Sequence, residues 1–165
     1  MNSSALAPHS GRSQKTLGEP YLKVQVGSQS FAALVMHHVQ EVMVLPIRRL
    51  TPMPNKPACL LGLTNRRSRV LWVIDLARML GLGALQANVQ QHSVVVVQVG
   101  NIPLGLAIQQ VEEITWIPSD AVQSTPGQVS QALLPYLQGC WVQPQGVVLI
   151  LDALAIAHSP LLHGE

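Results

Sequence analysis

Charge is what this chain has least of. Asp, Glu, Lys and Arg make up 11% of its 165 residues, against about a quarter in an ordinary domain. A surface so poor in charge favours association, and generous protein–protein contact faces are expected. Aromatics are sparse too, at 4% with a single Phe, which leaves few platforms on which single-stranded bases stack. The two cysteines, Cys59 and Cys140, form neither a CxxC nor a zinc spacing and read as reduced thiols. No apolar run approaches the ~18 residues of a membrane helix, and no basic-then-apolar leader opens the chain. The expected location is the cytoplasm, without direct membrane insertion.

Motifs that carry chemistry are missing as well. Gly81-Leu82-Gly83 follows a helix-forming run instead of preceding one, the wrong order for a phosphate loop. Ser28, Ser30 and Ser93 have no glycine elbow around them. His37-His38 would point to opposite faces of a strand, and no third ligand is spaced nearby. Asp75 and Asp152 could form a carboxylate pair, but each ends an apolar strand and opens a helical run, the place of a backbone cap. No catalytic residue, metal or cofactor is expected.

Positive charge is absent from the second half altogether. All ten Lys and Arg lie at or before Arg78, against three acids there (Glu19, Glu41, Asp75), a balance of +7. The remainder holds Glu112, Glu113, Asp120, Asp152 and Glu165 and no cation, a balance of −5. The net of +2 therefore hides a dipole, which suits either a basic half docking an acidic partner or halves pairing head to tail between molecules. The densest charge, Asn65-Arg66-Arg67-Ser68-Arg69, reads as a solvated hairpin tip. Its alternative is a basic β-barrel that binds nucleic acid phosphates, disfavoured by the few aromatics and the acidic second half.

What the chain does have is a repeat. Val24-Gln25-Val26-Gly27 returns 73 residues on as Val97-Gln98-Val99-Gly100, and Val39-Gln40-Glu41-Val42 returns 72 on as Val111-Glu112-Glu113-Ile114. Gly62 and Asp75 recur 77 residues on as Gly139 and Asp152. Two similar units of roughly 65–75 residues would each be marginal alone, so their mutual burial is expected. Residues 1–20, rich in Ser, Pro and Gly, read as a flexible tail. The first unit is set at 21–85, the second at 92–157, and 158–165 as a second tail.

Within each unit the pattern is β. Leu22, Val24 and Val26 alternate with Lys23 and Gln25, and Gly27-Ser28 supplies a turn before Phe31–Met36. Val39–Leu45 is a strand stopped by Pro46, and the three prolines of 51–57 demand an extended loop. Val70–Ile74 is apolar throughout, as in a strand buried on both faces. Asp75 then caps a short helix that Gly81 stops. The second unit repeats this, with Asp152 before Ala153–Ala157. Many short strands with frequent turns suggest small barrels or a sandwich.

Gly62-Leu63-Thr64-Asn65-Arg66-Arg67-Ser68-Arg69 followed by Val73-Ile74-Asp75-Leu76 resembles the G-[VIL]-x-N-L-R-G-x and P-[VI]-[VI]-D-L segments of CheW-type chemotaxis adaptors. Val39-Gln40-Glu41-Val42 is similar to that family's V-x-E-[IV], and the likeness runs from about Tyr21 to Ala157. It implies an all-β fold of two SH3-like five-stranded barrels packed side by side. It also implies a non-catalytic adaptor in a chemotaxis or phototaxis-type pathway. The implied partners are the cytoplasmic tip of a methyl-accepting receptor and a sensor histidine kinase, not nucleic acid. On this resemblance Glu41 and Arg67 form an ion pair near the receptor-facing surface. Val39 and Gly62 border an apolar groove for the receptor's helical hairpin, and Asn65 belongs to the same binding hairpin. Three positions depart from the pattern: Arg66 stands for leucine, Ser68 for glycine and Trp72 for proline.

Overall fold

The computed structural model describes residues 18–125 and 129–163. Ten strands follow in order: β1 (Glu19–Gln25), β2 (Phe31–Val35), β3 (Val39–Pro46), β4 (Leu60–Arg66), β5 (Arg69–Asp75), β6 (Gln91–Val99), β7 (Ile102–Ile108), β8 (Gln110–Ile117), β9 (Leu137–Gln143) and β10 (Gly146–Leu151). Two short helices, α1 (Leu76–Met79) and α2 (Ala153–Ala157), follow β5 and β10. The strands form two five-stranded sheets, β8-β1-β2-β10-β9 and β3-β6-β7-β5-β4. The repeat is visible in these orders: β1 and β6, β2 and β7, β3 and β8, β4 and β9, β5 and β10 hold matching places. In each sheet one pairing is parallel, β2 with β10 and β5 with β7.

The division at 21–85 and 92–157 does not survive as a division between sheets. β1 and β2 leave their own half and complete the sheet built by β8, β9 and β10. The connections explain why. Gly27-Ser28 and Gly100 provide tight hairpins, and Gly100 has a positive φ of 60° that only a turn of this hand needs. β2, by contrast, passes into β3 through a 3₁₀ turn, Met36–His38, and Gln109 alone separates β7 from β8. Neither link lets the chain fold back on itself as a hairpin, so each carries it to the other sheet. Gln109 N–H donates to Gln25 O at 2.9 Å, anchoring that crossing. Both expected tails, 1–20 and 158–165, overlap ordered structure. Glu19 and Pro20 already belong to β1, and at the other end Ser159 is buried and Pro160–Leu162 is a 3₁₀ turn. Residues 1–17 and 164–165 of those tails lie outside the described residues.

Three apolar layers hold the molecule. Leu45, Leu71, Val73, Val94, Val96 and Ala107 fill one barrel. Tyr21, Ala33, Ile117, Val148 and Ile150 fill the other. Between them lies the largest cluster, which takes Leu22, Val24 and Leu34 from one sheet and Ile74, Val95, Val97 and Leu106 from the other. Strand alternation is responsible. The four buried valines Val94–Val97 send alternate side chains inward and across the interface. Each such side chain contributes roughly 1.5–3 kcal/mol on burial, so the halves stabilise each other as expected.

Candidate functional site

β3 and β4 are the two edges of one sheet, and a charged clamp joins them. A register shift between Val39 and Glu41 turns the Glu41 side chain toward the barrel end, on the face of Met43 and Leu45. Across the seam, Arg67 and Ser68 form a two-residue hairpin loop with φ of 52° and 65°, the left-handed pair of a type I′ turn. Ser68 thus adopts the conformation for which the family pattern keeps glycine. That turn points Arg66 back over the barrel mouth. Its Nε donates to Glu41 Oε1 at 2.6 Å, and its Nη2 also contacts that oxygen. Arg67 Nη2 stands 3.5 Å from the same oxygen. The side chain of Arg66 is 18% exposed and that of Arg67 77%. The expected Glu41–Arg67 pair is present, then, but Arg66 is the inner partner. Arg66, at the position where the family pattern has leucine, is thus turned onto Glu41.

Next to the clamp runs an apolar row. Val39, Val97, Leu104, Trp72 and Leu63 are cross-strand neighbours in register, so their side chains share the face of the sheet turned to the other barrel, where Val97 and Leu104 are buried in the cluster between the barrels. Val39, Trp72 and Leu63 remain partly open to solvent. The Lys56 ammonium lies 5.8 Å from the Trp72 ring centroid, within cation–π range. A mostly apolar cavity of about 190 Å³ continues the row, lined by Trp72, Ile102, Pro103, Leu104, Ala157 and Leu162 with His163. Gly62, beside Leu63 on β4, has φ +149°, and a Cβ there would stand 2.5 Å from Thr51 O. Its role is close approach: Thr51 and Leu63 exchange backbone hydrogen bonds of 2.7 and 2.9 Å across it. Asn65 is exposed opposite Val70, outside the row.

The aspartates are caps. Asp75 Oδ1 accepts from Arg78 N at 3.2 Å and Oδ2 from Leu85 N at 3.0 Å; Asp152 Oδ1 accepts from Ala155 N at 3.1 Å. His37 and His38 lie in the 3₁₀ turn, not in a strand, with rings edge to face at 5.2 Å. Among the described residues no cluster of three His, Cys, Asp or Glu could hold a metal, and no helix is long and apolar enough to cross a membrane. Burial raises the Cys59 thiol pKa and so suppresses its thiolate. Burial also lowers the pKa of His92, against the pull of the Asp75 carboxylate.

The sequence and the fold have counterparts among known proteins. The chain is 31% identical over 122 residues to the chemotaxis protein CheW of Rhizobium meliloti (strain 1021), covering 74% of this chain and 76% of that one. It is 29% identical over 135 residues to a probable chemotaxis protein CheW of Rhizobium etli, covering 80% and 83%. In three dimensions it superposes on the scaffolding protein TtCheW from Thermoanaerobacter tengcongensis with a TM-score of 0.69 at 20% identity, covering 81% of this chain and 89% of that one. The CheW-like domain matches residues 20–161, and the chain belongs to that family.

Proposed function

We propose that this protein is a non-catalytic adaptor of a chemotaxis-type pathway that couples the cytoplasmic tip of a methyl-accepting receptor to a sensor histidine kinase. The observation that carries this reading is the Glu41–Arg66–Arg67 clamp beside the row Val39–Val97–Leu104–Trp72–Leu63. An amphipathic helix would lay its apolar stripe on the solvent-accessible members of that row, Val39, Trp72 and Leu63, and a polar flank on the exposed Arg67 guanidinium. Asn65, on the same hairpin but off the row, suits a contact with the second partner.

Such a protein supplies no chemistry of its own. It passes on receptor state because its two partners bind with affinities that depend on each other, a coupling of free energies between two sites. Both contacts are made in the cytoplasm. The test is binding of purified R67E to the cytoplasmic receptor fragment and to the kinase regulatory domain from the same genome. The variant is expected to keep the wild-type circular dichroism spectrum and to lose affinity for at least one of them. Unchanged affinity for both would overturn the assignment.

A further inference from the structure

The 3₁₀ turn Pro160–Leu162 borders the apolar row at Leu104 and Trp72. Leu162, partly buried, packs on the cluster between the barrels, and with His163 it walls the cavity that Trp72, Leu104 and Ile102 share. Ser159 fixes the start of the turn: it is buried, with its Oγ 2.6 Å from Tyr136 Oη. Beyond Ser159 the fastening is slight. The amides of Leu161, Leu162 and His163 bond only within 159–163, at 3.0 to 3.2 Å. One hydrogen bond reaches outward, from His163 Nε2 to Ala157 O at 3.0 Å. Pro160, Leu161 and His163 are exposed, and the cavity leaves Leu162 short of contacts on its inner side. The repeat supplies the contrast. Leu85 stands 77 residues before Leu162, as Asp75 stands before Asp152. Asp75 Oδ2 ties down its leucine by accepting from Leu85 N at 3.0 Å. Among the described residues Asp152 accepts only from Ala155 N, so the second copy lacks that tie.

Resting on the adaptor reading above, we infer that the turn Pro160–His163 is a displaceable cover on the docking row, which the receptor's helix lifts to seat an apolar side chain against Leu104 and Ile102. Opening breaks one hydrogen bond to the rest of the molecule and moves one half-buried leucine. It therefore belongs among the low-energy local openings of a fold. Ile102 and Leu104 stand two residues apart on β7 and face the same way, so lifting Leu162 joins them to Trp72 in one apolar strip. Room is already there. The cavity of about 190 Å³ is larger than an engineered apolar cavity of about 150 Å³ that holds benzene, and leaving Leu162 adds to it. A side chain the size of Leu, Met or Phe fits. Because only the open state offers the whole strip, the closed turn lowers the apparent affinity in proportion to the fraction open.

The test is titration of the cytoplasmic receptor fragment from the same genome into full-length wild type, L162A, H163A and R67E. L162A removes the anchor of the turn and is expected to bind at least roughly threefold more tightly than wild type. H163A, which loses only the bond to Ala157 O, is expected to gain by a smaller factor. In hydrogen–deuterium exchange of the wild type, the amides of Leu162 and His163 are expected to exchange faster in the complex than in the free protein. Unchanged affinity of L162A would overturn the inference. Weaker binding by L162A with the wild-type circular dichroism spectrum would overturn it too, since Leu162 would then belong to the docking surface. So would amides at 162 and 163 that gain protection in the complex. R67E and the kinase regulatory domain separate this from the adaptor reading. A wild type that binds the fragment, with R67E weakened and L162A unchanged, overturns the cover alone. A wild type that binds neither the fragment nor the kinase domain overturns both.

Discussion

Arg66 reaches across the seam between β4 and β3 and donates its Nε hydrogen to Glu41 Oε1 at 2.6 Å. These two strands share no ladder, being opposite edges of one sheet, so the pair ties together what backbone bonding leaves apart. Arg67 touches the same oxygen from solvent.

The two arginines should therefore separate stability from recognition. R66A is expected to lower unfolding free energy by about 1–2 kcal/mol, since a partly buried charged hydrogen bond is lost. R67A is expected to cost no more than ~0.5 kcal/mol, as exposed pairs do. Urea melts of both, with E41A to close the double-mutant cycle, measure this. Equal losses for the two would contradict the geometry.

Gly62→Ala is expected to cost about 2–3 kcal/mol, because its φ and the Thr51 carbonyl at 2.5 Å from the new Cβ both oppose a side chain. The loss should appear as a lower melting temperature, and any change in partner binding should follow from it.

Ser68→Gly should act in the opposite direction. A serine held at φ 65° carries a left-handed penalty of about 1 kcal/mol that glycine lacks. The urea midpoint is expected to rise, with clamp and binding unchanged.

Removing the caps tests whether the aspartates are structural. D75A and D152A are each expected to lose about 1 kcal/mol of stability, with D75A the larger because Asp75 also accepts from Leu85 N. Partner affinities should not move in either.

His92 makes stability depend on pH on the acid side. Burial holds its folded pKa below the usual value of 6.5. Between those two values the unfolded chain binds a proton that the folded one excludes, so stability falls as pH drops below about 6.5. H92L is expected to flatten that slope in melts between about pH 7 and pH 5. A slope identical to wild type would show that other groups set it.

Local signals were written plainly in the chain. Alternation in 22–26, the prolines at 46 and 118, and Asp75 and Asp152 before their helical runs all act within a few residues. Strands, stops and caps followed from them. The charged hairpin was legible for the same reason, since Asn65–Arg69 is short, polar and flanked by apolar runs. Arg66 and Trp72 were not legible as members of the site. The first matters only because Glu41 lies across a seam, 25 residues away in sequence, and the second only because the row it joins comes from four other strands.

Sequence alone determined the elements, the duplication and the unequal charge of its two copies, because each depends on residue type and short spacing. Tertiary structure alone decided which strands belong together. β1 and β2 carry a pattern that either sheet could accept, and their place depends on a 3₁₀ turn and on burial of Leu22, Val24 and Leu34 against the opposite sheet. Those are long-range energies, and they turned two basic and acidic sequence halves into two oppositely charged barrels.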